Sequence, residues 1–243
     1  MTNNPWEKFG IKHGSFSNYN TYAANPGLWA LKYLFKIPDP AGPKAWLGSA
    51  VEAAVEAHNL ALGLTKFDAE AKANGGDADD IADARRILEG MFSQANAAMQ
   101  FLGKGTPEYQ HKIEHWIEGM AIPTIGYIDF LYPDLVVDLK TTQAMPSKPK
   151  PDHIRQAALY SKATQRPAAV VYATPKKWAV YHISPAEVEE GYRDLVRTAL
   201  ALQNALAAAH DPHEFFARVF TTFDDWRWND RLIKVAKDLV MEF

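Results

Sequence analysis

The sequence predicts an α/β fold, a mixed sheet flanked by helices within one domain. Three observations carry this. Short runs rich in β-branched and aromatic residues, bounded by turn formers, recur at 109–118, 125–131, 135–142, 168–173 and 178–183. Segments with apolar residues at helical spacing lie before, between and after them. The resulting order is helix, three strands, helix and two strands, with extra helices on either side.

Residues 1–14 read as an irregular lead-in. Ser15 or Ser17 caps a helix reaching about Phe35, with Tyr19, Tyr22, Leu28, Leu31, Leu34 and Phe35 on its apolar side. Pro26-Gly27 interrupts it. The proline-rich run 37–43 is a loop. Lys44 to Leu62 reads as one helix, with Val51, Ala54, Val55, His58 and Leu62 along one side and Glu52 and Glu56 one turn apart beside it. His58 is expected at the edge of the core. Residues 74–80 form an acidic loop, in which Asp77 or Asp79 caps a helix reaching about Leu102. Tyr109 to Glu118 alternates as the first of three meandering strands.

The next two strands form a hairpin. A turn centred on Pro133 and Asp134 places Leu131 opposite Val136, Phe130 opposite Val137 and Asp129 opposite Asp138, with either a two-residue or a four-residue loop. Pro133 suits the first central position of a type I turn, which favours the longer loop. Directly opposed like charges destabilise a sheet. Two opposed carboxylates with Lys140 two residues on therefore need a reason. A divalent cation is the simplest one, and oxygen-only ligands suit Mg²⁺ or Mn²⁺.

Residues 143–151 hold three prolines with Lys148 and Lys150, so neither a helix nor a central strand fits. The stretch is a stiff basic loop, either a guide for a substrate strand or an ordinary connection. Asp152 is expected to cap the following helix, which carries Gln156 and Tyr160 one turn apart. After two strands, Ser184-Pro-Ala-Glu187 opens an alanine-rich helix to about Ala209. Phe215, Phe216, Phe220, Phe223, Trp226 and Trp228 precede a last helix. They either stack on bases or pack a core, and packing is the commoner use of such a cluster.

The 243 residues are 47% hydrophobic and 23% charged, ordinary for a folded domain with a sizeable core. No apolar run approaches the roughly 18 residues of a membrane span. No basic start followed by an apolar run suggests a signal peptide, so the expected location is cytoplasmic. The absence of cysteine excludes disulfides, thiolate metal sites and a cysteine-ligated iron–sulfur cluster. Net charge is −3, but residues 140–177 hold eight basic residues against one acidic residue. That segment carries +7 and the rest −10. A basic field beside paired carboxylates is what a phosphate-binding surface needs.

Gly126-Tyr-Ile-Asp129, then Val136-Val-Asp138-Leu139-Lys140-Thr-Thr, then Gln156-Ala-Ala-Leu-Tyr160 occur in order within residues 125–160. The set resembles the PD-(D/E)XK nuclease superfamily, in its RecB-like and lambda-exonuclease-like branch. Gly48-Ser-Ala-Val-Glu52 matches the spacing of that branch's Gly-x-x-x-His element, with glutamate in the histidine's place. The resemblance implies a restriction-endonuclease-like αβββαβ core with a central mixed sheet. A single nuclease domain would span 1–243, with an N-terminal helical elaboration at about 15–105 and C-terminal helices at about 185–243.

It further implies Mg²⁺- or Mn²⁺-dependent hydrolysis of DNA without an iron–sulfur cluster. Glu52, Asp129, Asp138 and the Leu139 carbonyl would be the metal ligands. Lys140 would orient or help deprotonate the attacking water. Gln156 and Tyr160 would position the scissile strand or buttress Lys140. Lys148, Lys150, Arg155 and Lys162 would contact DNA phosphates without reading sequence. Phe130 stands where many relatives have arginine, which removes one backbone contact. An exonuclease acting in recombination or repair is expected, with no membrane association. A recombination partner protein or a homo-oligomer is an open alternative for its assembly. The rival readings are an endonuclease of the same superfamily, a non-cleaving DNA-binding module, and a small-molecule phosphohydrolase or metal-stapled structural protein.

Overall fold

The computed structural model describes residues 4–38, 41–220 and 222–241. The first three residues of the expected lead-in, and residues 39 and 40 of the expected loop, lie outside them. Ser15 caps α1 (Phe16–Ala24) by accepting from the Asn18 N–H, and Asn25 caps α2 (Pro26–Tyr33) with proline at the first helical position. The predicted interruption at Pro26 is thus a full break.

The helix expected from Lys44 to Leu62 is two helices, α3 (Pro43–Glu56) and α4 (Leu60–Asn74). His58 adopts a left-handed φ of 50°, and the Asn59 side chain caps α4 through the Ala61 N–H. A polar side chain that satisfies a helix N–H overrides the continuing apolar pattern here. His58 is consequently exposed at the turn, not at the edge of the core, and Leu62 is half exposed. Asp77 caps α5 (Ala78–Leu102), and Gly103, in the left-handed region, ends it.

The strands are β1 (Glu108–His115), β2 (Thr124–Tyr132) and β3 (Leu135–Thr141). After α6 (Pro151–Thr164) come β4 (Ala168–Ala173) and β5 (Trp178–Ile183). β1 stops three residues short of the expected end. Asp152 does not cap α6. Lys150 occupies the cap position and Pro151 begins the helix, leaving Asp152 in the first turn, where its charge complements the helix dipole. α7 (Pro185–Ala208) opens with the expected box, in which the Ser184 N–H donates to Glu187 Oε2 at 2.8 Å and the Glu187 N–H donates to Ser184 Oγ at 3.3 Å. α8 (Pro212–Val219) and α9 (Asp230–Met241) complete the order.

The five strands form one mixed sheet in the order β1-β2-β3-β4-β5. β2–β3 and β4–β5 are antiparallel, and β3–β4 are parallel across the α6 crossover. The hairpin register is the predicted one, Phe130 opposite Val137 and Leu131 opposite Val136. Tyr132 pairs directly with Leu135, so the loop is the two-residue one and not the longer one. The Arg166 guanidinium donates to the Tyr132 carbonyl at 2.9 Å beside that turn.

The chain divides into two compact units. One comprises Met1–Asp39, Glu114–Gly126 and Arg193–Phe243. Its core holds Trp29 against Phe215, ring centroids 5.2 Å apart, and its Gln203 side chain ties the Trp6 indole to the Gly119 carbonyl. The other comprises Pro40–Ile113 and Tyr127–Tyr192. Here Val137, Leu139, Ala169, Val171 and Ala173 turn one sheet face into a core shared with α3, α4 and α5. The alternate residues of β3 and β4 face the side where α6 packs, which follows from the two-residue period of a strand.

Candidate active site

Asp138 and Lys140 lie two residues apart on β3, on the face opposite Val137 and Leu139. Asp138 is fully buried. Its Oδ1 accepts from Lys140 Nζ at 2.9 Å. Oδ2 is also 2.9 Å from that nitrogen, but off the hydrogen-bond direction, and it accepts from no donor among the described residues. The Lys140 ammonium is thus its ion-pair partner, and its remaining lone pairs stay open to a further cation.

Asp129 is held by the backbone of β3. The Val136 and Thr142 N–H groups donate to the Pro167 and Ala173 carbonyls, each at 2.9 Å. The even-numbered N–H groups of β3 therefore point toward β4, and the Leu139 N–H points toward β2. Its acceptor there is a side chain, Asp129 Oδ2, at 2.9 Å. The paired register ends at Phe130 and Val137, one residue short of the expected Asp129–Asp138 opposition.

Burial pushes the Asp129 carboxyl well above its usual range, and the charges of Asp138 and Glu52 push it further. Glu52, from α3, is raised to about 7, first by burial; Lys140 opposes this and Asp138 adds to it. α3 passes β3 at Gly48, where an added Cβ would stand 3.4 Å from Thr141 Oγ1. For Lys140, burial favours the neutral amine, but Asp138, Asp129 and Glu52 outweigh it and raise the ammonium pKa. Three carboxylates and one ammonium thus share a single electrostatic environment. Among the described residues, no three acidic or histidine side chains converge into a ready-made metal cage. Asp129 is engaged by the Leu139 N–H and Asp138 by Lys140.

On α6, Gln156 Nε2 donates to the Tyr160 hydroxyl at 3.2 Å, and that hydroxyl donates to the Tyr127 carbonyl at 2.8 Å. The pair therefore braces β2 two residues before Asp129. Tyr160 is buried, and burial raises its pKa.

His153 was not among the residues expected here. Its Nδ1 lies 2.6 Å from the Tyr172 hydroxyl, which also accepts the Lys150 N–H at 3.0 Å. The hydroxyl proton is thus left for Nδ1, and burial holds the imidazole pKa below its usual value. The available signal was spacing, because His153, Gln156 and Tyr160 fall at i, i+3 and i+7 on one helix face.

The basic loop is fastened at both ends, by the Tyr172 hydroxyl at Lys150 and by the Tyr181 hydroxyl, which donates to the Pro146 carbonyl at 2.6 Å. Lys148 and Lys150 are exposed on it. Arg155 is half-buried on α6. Lys162 is paired with Glu189 and lies 5.7 Å over the Tyr192 ring. Phe130 packs in the core against Tyr109.

A family profile described as the PD-(D/E)XK nuclease superfamily matches residues 13–226. The chain belongs to that superfamily. An exonuclease candidate from Eubacterium rectale, known as a crystal structure, is similar over 96% of this chain and 90% of its own, with TM-score 0.64 and 14% identity. That likeness is one of fold. A second solved structure, of a protein named SSO0001, covers 73% of this chain and 84% of its own at 17% identity and TM-score 0.35, and carries no argument. No curated protein matches the chain. Among the described residues, no helix is long and apolar enough to cross a membrane.

Proposed function

We propose that this chain is a Mg²⁺- or Mn²⁺-dependent deoxyribonuclease of the RecB-like branch, acting as an exonuclease on DNA ends in recombination or repair. The observation that carries the reading is the buried Asp138 carboxylate, whose Oδ2 has only the Lys140 ammonium as a partner among the described residues, set beside Asp129 and Glu52. The donor set is all oxygen, as hard divalent cations require. Glu52, Asp129, Asp138 and the Leu139 carbonyl would hold the ion. A bound divalent cation supplies acidity to water and charge to offset the phosphate.

The protein groups do the rest. Lys140, kept as an ammonium by its carboxylate neighbours, donates to the attacking water or a phosphate oxygen and offsets charge there. Tyr160 and Gln156 hold β2, and so Asp129, in place. Lys148, Lys150 and Arg155 contact phosphates on either side of the break, and Lys162 joins them on leaving Glu189. The whole chain acts as one nuclease domain, with the helices at about 15–105 and 185–243 as elaborations.

Such contacts position a strand without reading it, which supports action at ends over action at a recognition sequence. The E. rectale protein's description as an exonuclease candidate is in line with this. The test is digestion of end-labelled linear and covalently closed circular duplex with Mg²⁺, Mn²⁺ or EDTA. Metal-dependent loss of linear substrate with the circle spared is expected. Cutting of the circle at one sequence, with ends ignored, would replace the exonuclease by an endonuclease.

A further inference from the structure

We propose that the unit containing α1, α2 and α9 carries a nucleobase-stacking subsite built around Trp226. The aromatic residues at 215–228 differ in exposure. Phe215, Phe216 and Trp228 are buried, whereas Trp226 is turned out, 85% exposed. Its neighbours anchor the segment. Trp228 meets Phe220 and Phe223 edge-on, with ring centroids 5.9 and 5.1 Å away. Gly27 lets them close on α2, since a Cβ there would stand 3.2 Å from Trp228 and 3.3 Å from Phe220.

The outward position is also held by polar contacts. The Asn25 side chain, which caps α2, donates to Asp225 Oδ2 at 3.4 Å. Asp225 accepts the Arg227 N–H at 2.9 Å and the Arg227 guanidinium at 2.7 Å. That guanidinium lies 4.9 Å from the centre of the Trp226 ring. The chain therefore fixes the indole between an arginine and solvent, where a lone surface tryptophan would be unsupported.

Trp226 and Arg227 form one side of a cavity of about 380 Å³, within the size range of small-ligand sites. Its apolar lining comes from Leu28, Leu31, Ile37 and Leu232, and its polar lining includes Lys32. Among the described residues, no acidic side chain lines it. Arg227 is already neutralised by Asp225, so Lys32 supplies the net positive charge. An exposed indole, apolar lining residues and a lining cation with no acid among the described lining residues fit a base with its phosphate attached. Stacking is tolerant of sequence, because every base has a π-face. The subsite rests on the nuclease reading above and specifies which residues would grip a base of a single strand.

The experiment uses the full chain in EDTA, so that nothing is cut. A short thymidine oligonucleotide and an abasic oligonucleotide of equal length and charge are titrated, with tryptophan fluorescence and anisotropy as readouts. The base-bearing strand should bind about ten-fold more tightly than the abasic one and quench the fluorescence. Trp226→Ala should lose that preference and Trp226→Phe should keep most of it. Both exchanges fall on an exposed side chain, and a thermal melt shows that folding is retained. Equal affinity of the wild type for both strands, or a preference that survives Trp226→Ala, would overturn the subsite while leaving the nuclease reading intact. No binding of either strand would likewise overturn the subsite, whereas the nuclease reading stands or falls on the digestion of linear duplex with metal.

Discussion

The Asp129 carboxylate accepts the Leu139 N–H at 2.9 Å, where a β2 carbonyl would otherwise close the ladder. A side chain therefore takes over a backbone role at the point where the two strands part. The exchange leaves the Leu139 N–H satisfied and brings a second carboxylate to Asp138 and Lys140 without full cross-strand opposition. It also links hairpin geometry to chemistry, because moving Asp129 disturbs both.

Asp138→Asn is expected to abolish metal-dependent hydrolysis, by more than the roughly 100-fold typical of losing a group one step removed from a metal. Stability should change little, within about 4 °C in Tm, because the lost pairing with Lys140 is offset by relieved repulsion on Asp129 and Glu52. Parallel nuclease assays and melts check this. Near-normal activity would remove the central assignment.

The metal-free protein should lose stability as pH rises. Glu52 titrates at about 7 in the folded chain against an ordinary 4.5, and Asp129 is raised as well. Both protonate more readily folded than unfolded. Their contribution is whole below the ordinary carboxylate range and is lost as pH climbs toward about 7. His115 and His153, whose pKa values are lowered, act in the opposite direction, so the comparison that matters is with Glu52→Gln. Melting temperatures in EDTA from pH 5 to 8 should fall more steeply for the wild type. Parallel curves would contradict the shift on Glu52.

Tyr160→Phe removes the hydroxyl that donates to the Tyr127 carbonyl. A cost of about 1 kcal/mol is expected, or about 2–4 °C in Tm. Activity should fall further than stability, because Asp129 lies two residues along the same strand. Activity and a melt measured on one preparation separate the two effects. Unchanged kcat would mean the brace is only structural.

The cations on the basic loop should differ from those on α6. Lys148→Ala and Lys150→Ala should each lower the slope of log affinity against log salt by about one, without altering sequence preference. Lys162→Ala should do less, since Glu189 already neutralises that ammonium. DNA-binding isotherms at several salt concentrations decide it. Equal slopes in all three variants would mean that pairing with Glu189 does not persist in solution.

The sequence by itself determined the elements whose causes are local. Ser15 and Asp77, each one of two expected candidates, and the Ser184–Glu187 pair cap their helices, because capping involves residues only two or three apart. The spans of β4 and β5 and the hairpin register follow from the two-residue period and one turn. Spacing put Asp138 and Lys140 on one strand face and Gln156 and Tyr160 on one helix face, and the resemblance to the PD-(D/E)XK superfamily singled them out with Asp129 as candidates.

Only the tertiary structure decided the rest. The end of the ladder at Phe130 depends on which way the Leu139 N–H points, and that is set by β4, about thirty residues downstream. The pairing of His153 with Tyr172, the engagement of Lys162 by Glu189 and the raised pKa of Glu52 arise from burial and from partners on other elements. Local pattern carries no information about such contacts, because desolvation and long-range pairing exist only once the chain has closed on itself.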